Sequence, residues 1–148
     1  MMEKRLGRIM AIDYGLKRVG IAVTDPLQII ATPLQTIATP TLFLFLKDYL
    51  EKENVATFVM GMPKGLNGRP STMSSVVEQV SVRLQQQFPA QRFYYQDERF
   101  TSKLAMQGLC QAGYSKKDRA SSIDQVSAAI ILQSFLRSMG HAMPSPAE

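Results

Sequence analysis

Apolar residues in the N-terminal part of the chain follow patterns that predict three strands. Arg8–Gly15 is apolar on both of its alternating faces, which predicts a central strand that is buried on both sides. Arg18–Thr24 predicts a second strand, and Gly15 supplies the tight turn of a hairpin between the two. Pro33–Ala38 predicts a shorter third strand, and its proline favours the edge of a sheet.

Further along the chain, apolar residues at helical spacing alternate with two more apolar strands. The remaining predicted elements are, in order, a helix from Thr39-Pro40 to Lys52, a strand at Val55–Met60, a helix at Ser71–Phe88, a strand at Arg92–Gln96, a helix from Thr101 or Ser102 to Gly113, a basic loop at Tyr114–Ala120 and a buried helix at Ser121–Met139. This order predicts an α/β fold with a five-stranded mixed sheet, in which an antiparallel hairpin adjoins parallel strands. We expect one domain over residues 1–139 and a flexible tail over residues 140–148.

Composition narrows the chemistry that the chain can perform. The 148 residues are 45% hydrophobic, which suffices for a substantial core. Cys110 is the only cysteine, so an intrachain disulfide is impossible. His141 is the only histidine and lies near the C-terminus, which disfavours a Ser-His or Cys-His catalytic pair. Residues 1–7 lack the apolar core of a signal peptide, and no apolar run approaches ~20 residues, so we expect a cytoplasmic protein without a membrane segment. Acid–base or metal chemistry must therefore rest on carboxylates.

The positive charge is concentrated in the middle of the chain. The formal net charge is +5, and Met60–Arg119 contains nine basic and four acidic residues, whereas the rest of the chain has eight of each. A clustered basic excess fits a polyanionic partner such as nucleic acid, although a solvated surface has the same composition.

Acidic residues follow two of the predicted strands. Asp13 and the Asp97-Glu98 pair each lie at a strand end, where α/β sheets bind ligands, and Asp124 falls in the first predicted turn of the last helix. Carboxylates that meet at one edge repel one another unless they hold cations, and oxygen ligands favour Mg²⁺ or Mn²⁺. Two ions ~4 Å apart support phosphodiester cleavage. The alternatives are solvated turn residues at 97–98 and a capping box at Ser121-x-x-Asp124.

Four sequence blocks together resemble the YqgF family of pre-16S rRNA nucleases, also called Holliday-junction-resolvase-like proteins. The blocks are Ile12–Gly15 with Arg18–Asp25, Gly61–Pro63 with Gly68, Asp97–Ser102, and Ile123–Leu132. The resemblance implies a ribonuclease-H-like fold and divalent-metal hydrolysis of phosphodiester bonds, in processing the 5′ end of pre-16S rRNA. It also implies that the acidic residues are Asp13, Glu98 or its neighbour Asp97, and Asp124. Glu98 is favoured over Asp97 because its longer side chain reaches further past the strand end.

Several polar and basic residues are candidate nucleic-acid contacts. They are Lys17, Arg18, Lys64, Asn67, Arg69, Arg99, Lys116, Lys117 and Arg119. Tyr14 fits either stacking on a base or packing against the protein. Other functions remain open: a nucleic-acid-binding ribosome-assembly factor with little hydrolysis, or a resolvase acting on branched DNA. An actin-like ATPase is disfavoured because it needs two lobes, and the chain has the length of one.

Overall fold

The computed structural model describes residues 7–63, 72–97, 113 and 115–141. The strands are β1 (Arg8–Tyr14), β2 (Arg18–Thr24), β3 (Ala31–Ala38), β4 (Val55–Met62) and β5 (Arg92–Asp97). The helices are α1 (Leu42–Lys52), α2 (Thr72–Gln87) and α3 (Lys116–His141), and a short 3-10 turn at Thr39–Thr41 precedes α1. None of the helices within these ranges has the length and hydrophobicity that a bilayer crossing requires.

The five strands form one mixed sheet in the order β3-β2-β1-β4-β5. β1 pairs with β2 and β2 with β3 in antiparallel fashion, whereas β1 with β4 and β4 with β5 are parallel. The predicted mixed sheet is therefore confirmed. Since β1, β4 and β5 are parallel, their carboxyl ends lie at the same edge of the sheet.

The two faces of the sheet differ in the size of their side chains. One face is lined by small residues near its centre and packs on α3; its cluster contains Ile9, Ala11, Ala22, Val59, Ala128, Ile131 and Leu132. The other face carries larger residues and is covered by α1 and α2; its cluster includes Met10, Ile12, Ile21, Phe58, Met60, Leu46 and Leu84. The small residues let one long helix lie close to the sheet.

The start of α3 differs from the prediction. The helix begins at Lys116, so the predicted basic loop is wrong from residue 116 to residue 120. These residues carry no apolar periodicity, but lysine, arginine and alanine are good helix formers. At its other end α3 continues to His141, two residues into the predicted tail.

The remaining boundaries differ by a few residues at most. β3 begins at Ala31, earlier than predicted, and β4 extends to Met62. The helix predicted from Thr39-Pro40 begins at Leu42, after the 3-10 turn. The hydroxyl of Thr39 donates to the Gly15 carbonyl at 2.7 Å instead of capping the helix. The helix predicted from residue 101 or 102 to residue 113 lies outside the described ranges, except for its last residue.

Candidate active site

The turn between β1 and β2 is closed by Gly15. A Cβ at this position would lie 2.6 Å from the Arg18 carbonyl oxygen, which is closer than real Cβ contacts. Thr39 also anchors the turn, since its N–H donates to the Lys17 carbonyl at 3.0 Å and its hydroxyl to the Gly15 carbonyl. The end of β1, including Asp13, is therefore part of a well-braced hairpin.

Gly20 brings α3 into direct contact with the hairpin. It is the cross-strand partner of Asp13, so the two residues share a face of the sheet about 5 Å apart. A Cβ at Gly20 would lie 2.0 Å from the Asp124 carbonyl oxygen. The backbone of α3 thus contacts β2 at Gly20, so the Asp124 backbone lies next to the cross-strand partner of Asp13.

The sequence analysis missed the role of Gly20. A glycine inside a strand weakens the strand and often marks a site where another backbone approaches closely. Gly20 sits in the interior of β2 with apolar residues on both sides, so that signal was available.

Asp124 lies in the third turn of α3 rather than in the first. The helix starts at Lys116, eight residues earlier, so the capping-box alternative for Ser121 and Asp124 is wrong. The carboxylate of Asp124 accepts a hydrogen bond from Arg18 Nε at 2.9 Å, and the pair forms a salt bridge. Arg18, a predicted nucleic-acid contact, is in this structure the partner of a predicted site carboxylate.

Asp97 and Asp13 lie on opposite faces of the sheet. Asp97 ends β5 and pairs with Met62, which belongs to the core on the α1 and α2 side. The preceding residue, Gln96, pairs with Gly61 and therefore faces the α3 side with Asp13. Continuing the β1–β4 register by one residue brings Asp13 level with Gly61, which adds no side chain between the ends of β1 and β5. Glu98 lies outside the described residues.

The predicted nucleic-acid contacts are described only in part. Lys17 is exposed in the hairpin turn next to Arg18. The backbone of Lys116, Lys117 and Arg119 belongs to the start of α3, about 8–12 Å along the helix axis from Asp124. Their side chains lie outside the described part. Lys64, Asn67, Arg69 and Arg99 lie outside it altogether. Tyr14 packs against the core on the face opposite Asp13, which favours the packing role over base stacking.

Of the predicted site carboxylates, those described on the α3 side of the sheet are Asp13 and Asp124. Among the described residues, no group of three or more His, Cys, Asp or Glu residues has metal-site geometry. The third predicted ligand, Glu98, immediately follows Asp97 and falls outside that part of the chain.

Asp25 is a carboxylate with a structural role at the opposite end of β2. Its oxygens accept hydrogen bonds from the N–H groups of Leu27 at 3.2 Å and of Ile29 and Ile30 at 2.8 Å. The bond from Ile30, with those from Ile29 and Leu27, holds the pKa of Asp25 below its ordinary value of 3.8, although partial desolvation opposes the shift. Asp25 therefore organises the loop before β3.

Comparison with protein families gives a match over almost the whole described chain. The family model described as "RuvX: Holliday junction resolvase" matches residues 7–138. Curated relatives named "Putative pre-16S rRNA nuclease" include proteins of Amoebophilus asiaticus, 51% identical over 135 residues, and Flavobacterium johnsoniae, 50% identical over 133 residues. These alignments cover 90% and 88% of this chain, respectively, and 96% of each relative.

Comparison with solved structures identifies the fold. The structure of T. thermophilus RuvC in complex with a Holliday junction substrate matches with a TM-score of 0.53 at 17% identity, and the match covers 93% of this chain and 99% of that one. The fold is therefore ribonuclease-H-like, as the sequence analysis predicted.

Proposed function

The chain belongs to the RuvX family, and from that premise we propose that it is a metal-dependent nuclease that hydrolyses phosphodiester bonds in pre-16S rRNA. The observation that carries the proposal is the contact of α3 with Gly20, which brings the Asp124 backbone against the cross-strand partner of Asp13. We infer that the carboxylates of Asp13 and Asp124, which come from distant parts of the sequence, form one site on the α3 side of the sheet, at the edge where the parallel strands end.

Mg²⁺ or Mn²⁺ fits the donors at this edge. Asp13 and Asp124 offer only carboxylate oxygens, which suit these hard cations better than zinc or copper. The salt bridge from Arg18 to Asp124 supports the same assignment, because it means that this edge already attracts a positive charge. We propose that Asp13, Asp124 and Glu98 hold the ions. When bound, such ions activate water and stabilise the leaving oxygen of the phosphodiester.

Strand alternation supports Glu98 rather than Asp97 as the third ligand. Asp97 pairs with Met62 and faces the side of the sheet that α1 and α2 cover, whereas the residue paired with Gly61 faces the α3 side. A residue that follows Asp97 in an extended chain faces the α3 side. The absence of a side chain at Gly61 leaves room for carboxylates from both neighbouring strands to converge.

We propose that residues of this chain also position the substrate. Asp13 is held by a central strand and a braced hairpin, so its carboxylate stays in place when a substrate arrives. Lys17 in the hairpin turn and the basic start of α3 flank the carboxylates, and we propose that they contact backbone phosphates. The positive end of the α3 dipole adds to this attraction.

The substrate is proposed from the relatives' names. The curated relatives named for pre-16S rRNA are about half identical to this chain over nearly their full length, which favours RNA. Branched DNA is the second candidate, because the family description names the Holliday junction.

The decisive experiment compares the wild type with Asp13→Asn on pre-16S rRNA and on four-way-junction DNA, each with Mg²⁺, Mn²⁺ or chelator. We expect metal-dependent cleavage of the RNA by the wild type and none by Asp13→Asn, with folding and nucleic-acid binding retained. Cleavage by Asp13→Asn at the wild-type rate would contradict the carboxylate site. Binding without cleavage by the wild type would instead support an assembly factor.

A further inference from the structure

Arg18 links the hairpin to α3 at the candidate site. Its Nε lies 2.9 Å from Asp124 Oδ2, although the two residues are 106 positions apart in the sequence. Arg18 shares a sheet face with Gly20 and Asp13, because alternate residues of β2 face the same side. The guanidinium therefore stands at the rim of the carboxylate site.

The exposure of this pair indicates that Arg18 acts as a counter-ion of Asp124 rather than as a structural anchor for α3. The Arg18 side chain is 60% exposed and the Asp124 side chain 27%, so solvent screens the attraction. Only one of the five guanidinium N–H groups is used in the hydrogen bond to Asp124. A divalent cation can displace an exposed, solvated arginine of this kind from a carboxylate.

We propose that Arg18 neutralises Asp124 while the site lacks metal, and that metal binding releases Arg18 to contact the scissile phosphate. The inference rests on the proposed function. Without a cation, two acidic side chains in one site would be unfavourable, and Arg18 offsets the charge of Asp124 through their salt bridge. Once metal supplies the positive charge, the planar guanidinium is free to bind phosphate oxygens, for which its paired N–H groups are well suited.

The proposal predicts opposite effects of one substitution on metal binding and on catalysis. In Arg18→Gln, the Kd for Mn²⁺ should fall about two- to fivefold, because a competing cation is gone. Cleavage at saturating Mn²⁺ should fall about tenfold or more, because a charged contact to the phosphate is lost. Isothermal titration calorimetry of the full chain with Mn²⁺ measures the first effect without any substrate.

Two further variants separate charge from geometry. Arg18→Lys keeps the charge, so its Mn²⁺ affinity should stay near that of the wild type, whereas its cleavage should drop because lysine lacks the planar fork. Arg137→Gln removes the same charge from an exposed site on α3 about 20 Å along the helix from Asp124, and it should change neither quantity. Thermal unfolding in chelator verifies that each variant is folded.

The outcomes distinguish a failure of the Arg18 proposal from a failure of the proposed nuclease function. Weaker Mn²⁺ binding by Arg18→Gln would overturn the inference, since Arg18 would then hold Asp124 in place for the metal. Unchanged Mn²⁺ affinity in both Arg18 variants would overturn it as well. If the wild type itself neither bound Mn²⁺ nor cleaved RNA or junction DNA, the proposed function would fail, and this inference with it.

Discussion

Replacing Gly20 by alanine is expected to disable the site without altering any of its carboxylates. The added methyl group would lie 2.0 Å from the Asp124 carbonyl oxygen and 2.9 Å from the Gln125 nitrogen. Both neighbours are backbone atoms of α3, so no side-chain rotation relieves the clash. The helix must move away from β2 by about 1 Å to restore the shortest contact that real Cβ atoms make, which is 3.0 Å.

This displacement has two measurable consequences. Overpacking at a buried contact costs about 1–3 kcal/mol, and here it also loosens Ala128, Ile131 and Leu132 from the sheet. A catalytic group misplaced by ~1 Å loses about 100-fold in rate. We therefore expect Gly20→Ala to cleave about 100-fold more slowly at a temperature where the protein is still folded.

The assays are urea denaturation and metal-dependent cleavage of the same preparations at 25 °C. Ile21→Val is the matched control, because Ile21 is the next residue of β2 and is buried on the opposite face. It should lower the free energy of unfolding by about 0.5–1.5 kcal/mol and leave cleavage unchanged. A Gly20→Ala protein with the wild-type unfolding midpoint and wild-type rate would refute the close packing of α3 on the hairpin.

Two other predictions concern the start of α3 and the loop after β2. Replacing the three basic residues at the start of α3 by alanine should flatten the slope of log affinity against log salt by ~0.9 per lost contact on duplex, or ~0.7 on single strands. An unchanged slope would mean that Lys116, Lys117 and Arg119 are only solvated. Asp25→Asn should lower the urea midpoint above pH 3.8, because the hydrogen bonds from Ile30 and its neighbours lower the folded-state pKa of Asp25. The difference from the wild type should vanish as the pH falls through that lowered pKa; a difference that persists to about pH 2 would exclude ionisation as its source.

Local sequence patterns were sufficient to predict the sheet and two of the carboxylates at its strand ends. Apolar runs of the right length and alternation predicted all five strands, and the order of strands and helices predicted a mixed sheet in which an antiparallel hairpin adjoins parallel strands. Asp13 and Asp97 follow from the same patterns, since a carboxylate at the end of an apolar run is locally visible. The four motif blocks indicated the family that the comparisons support.

The sequence alone also led to wrong conclusions about α3. Asp124 was read as a first-turn residue because the apolar pattern begins near Ser121, whereas the helix begins at Lys116. Residues 116–120 are charged or small and carry no amphipathic pattern, so the sequence does not mark them as helix. The true start of α3 excludes the capping box as the reason for Asp124.

The tertiary structure alone decided which polar groups meet. The close packing of α3 on Gly20 brings Arg18 and Asp124 together. These two residues form an ion pair although they are 106 positions apart in the sequence. Strand register, rather than sequence proximity, assigns Asp97 to the face opposite Asp13. Periodicity within a segment specifies which residues of that segment share a face. Which faces come into contact, and how closely, depends on the size of the side chains between them. Here Gly20, which has no side chain, allows the backbone of α3 to contact β2.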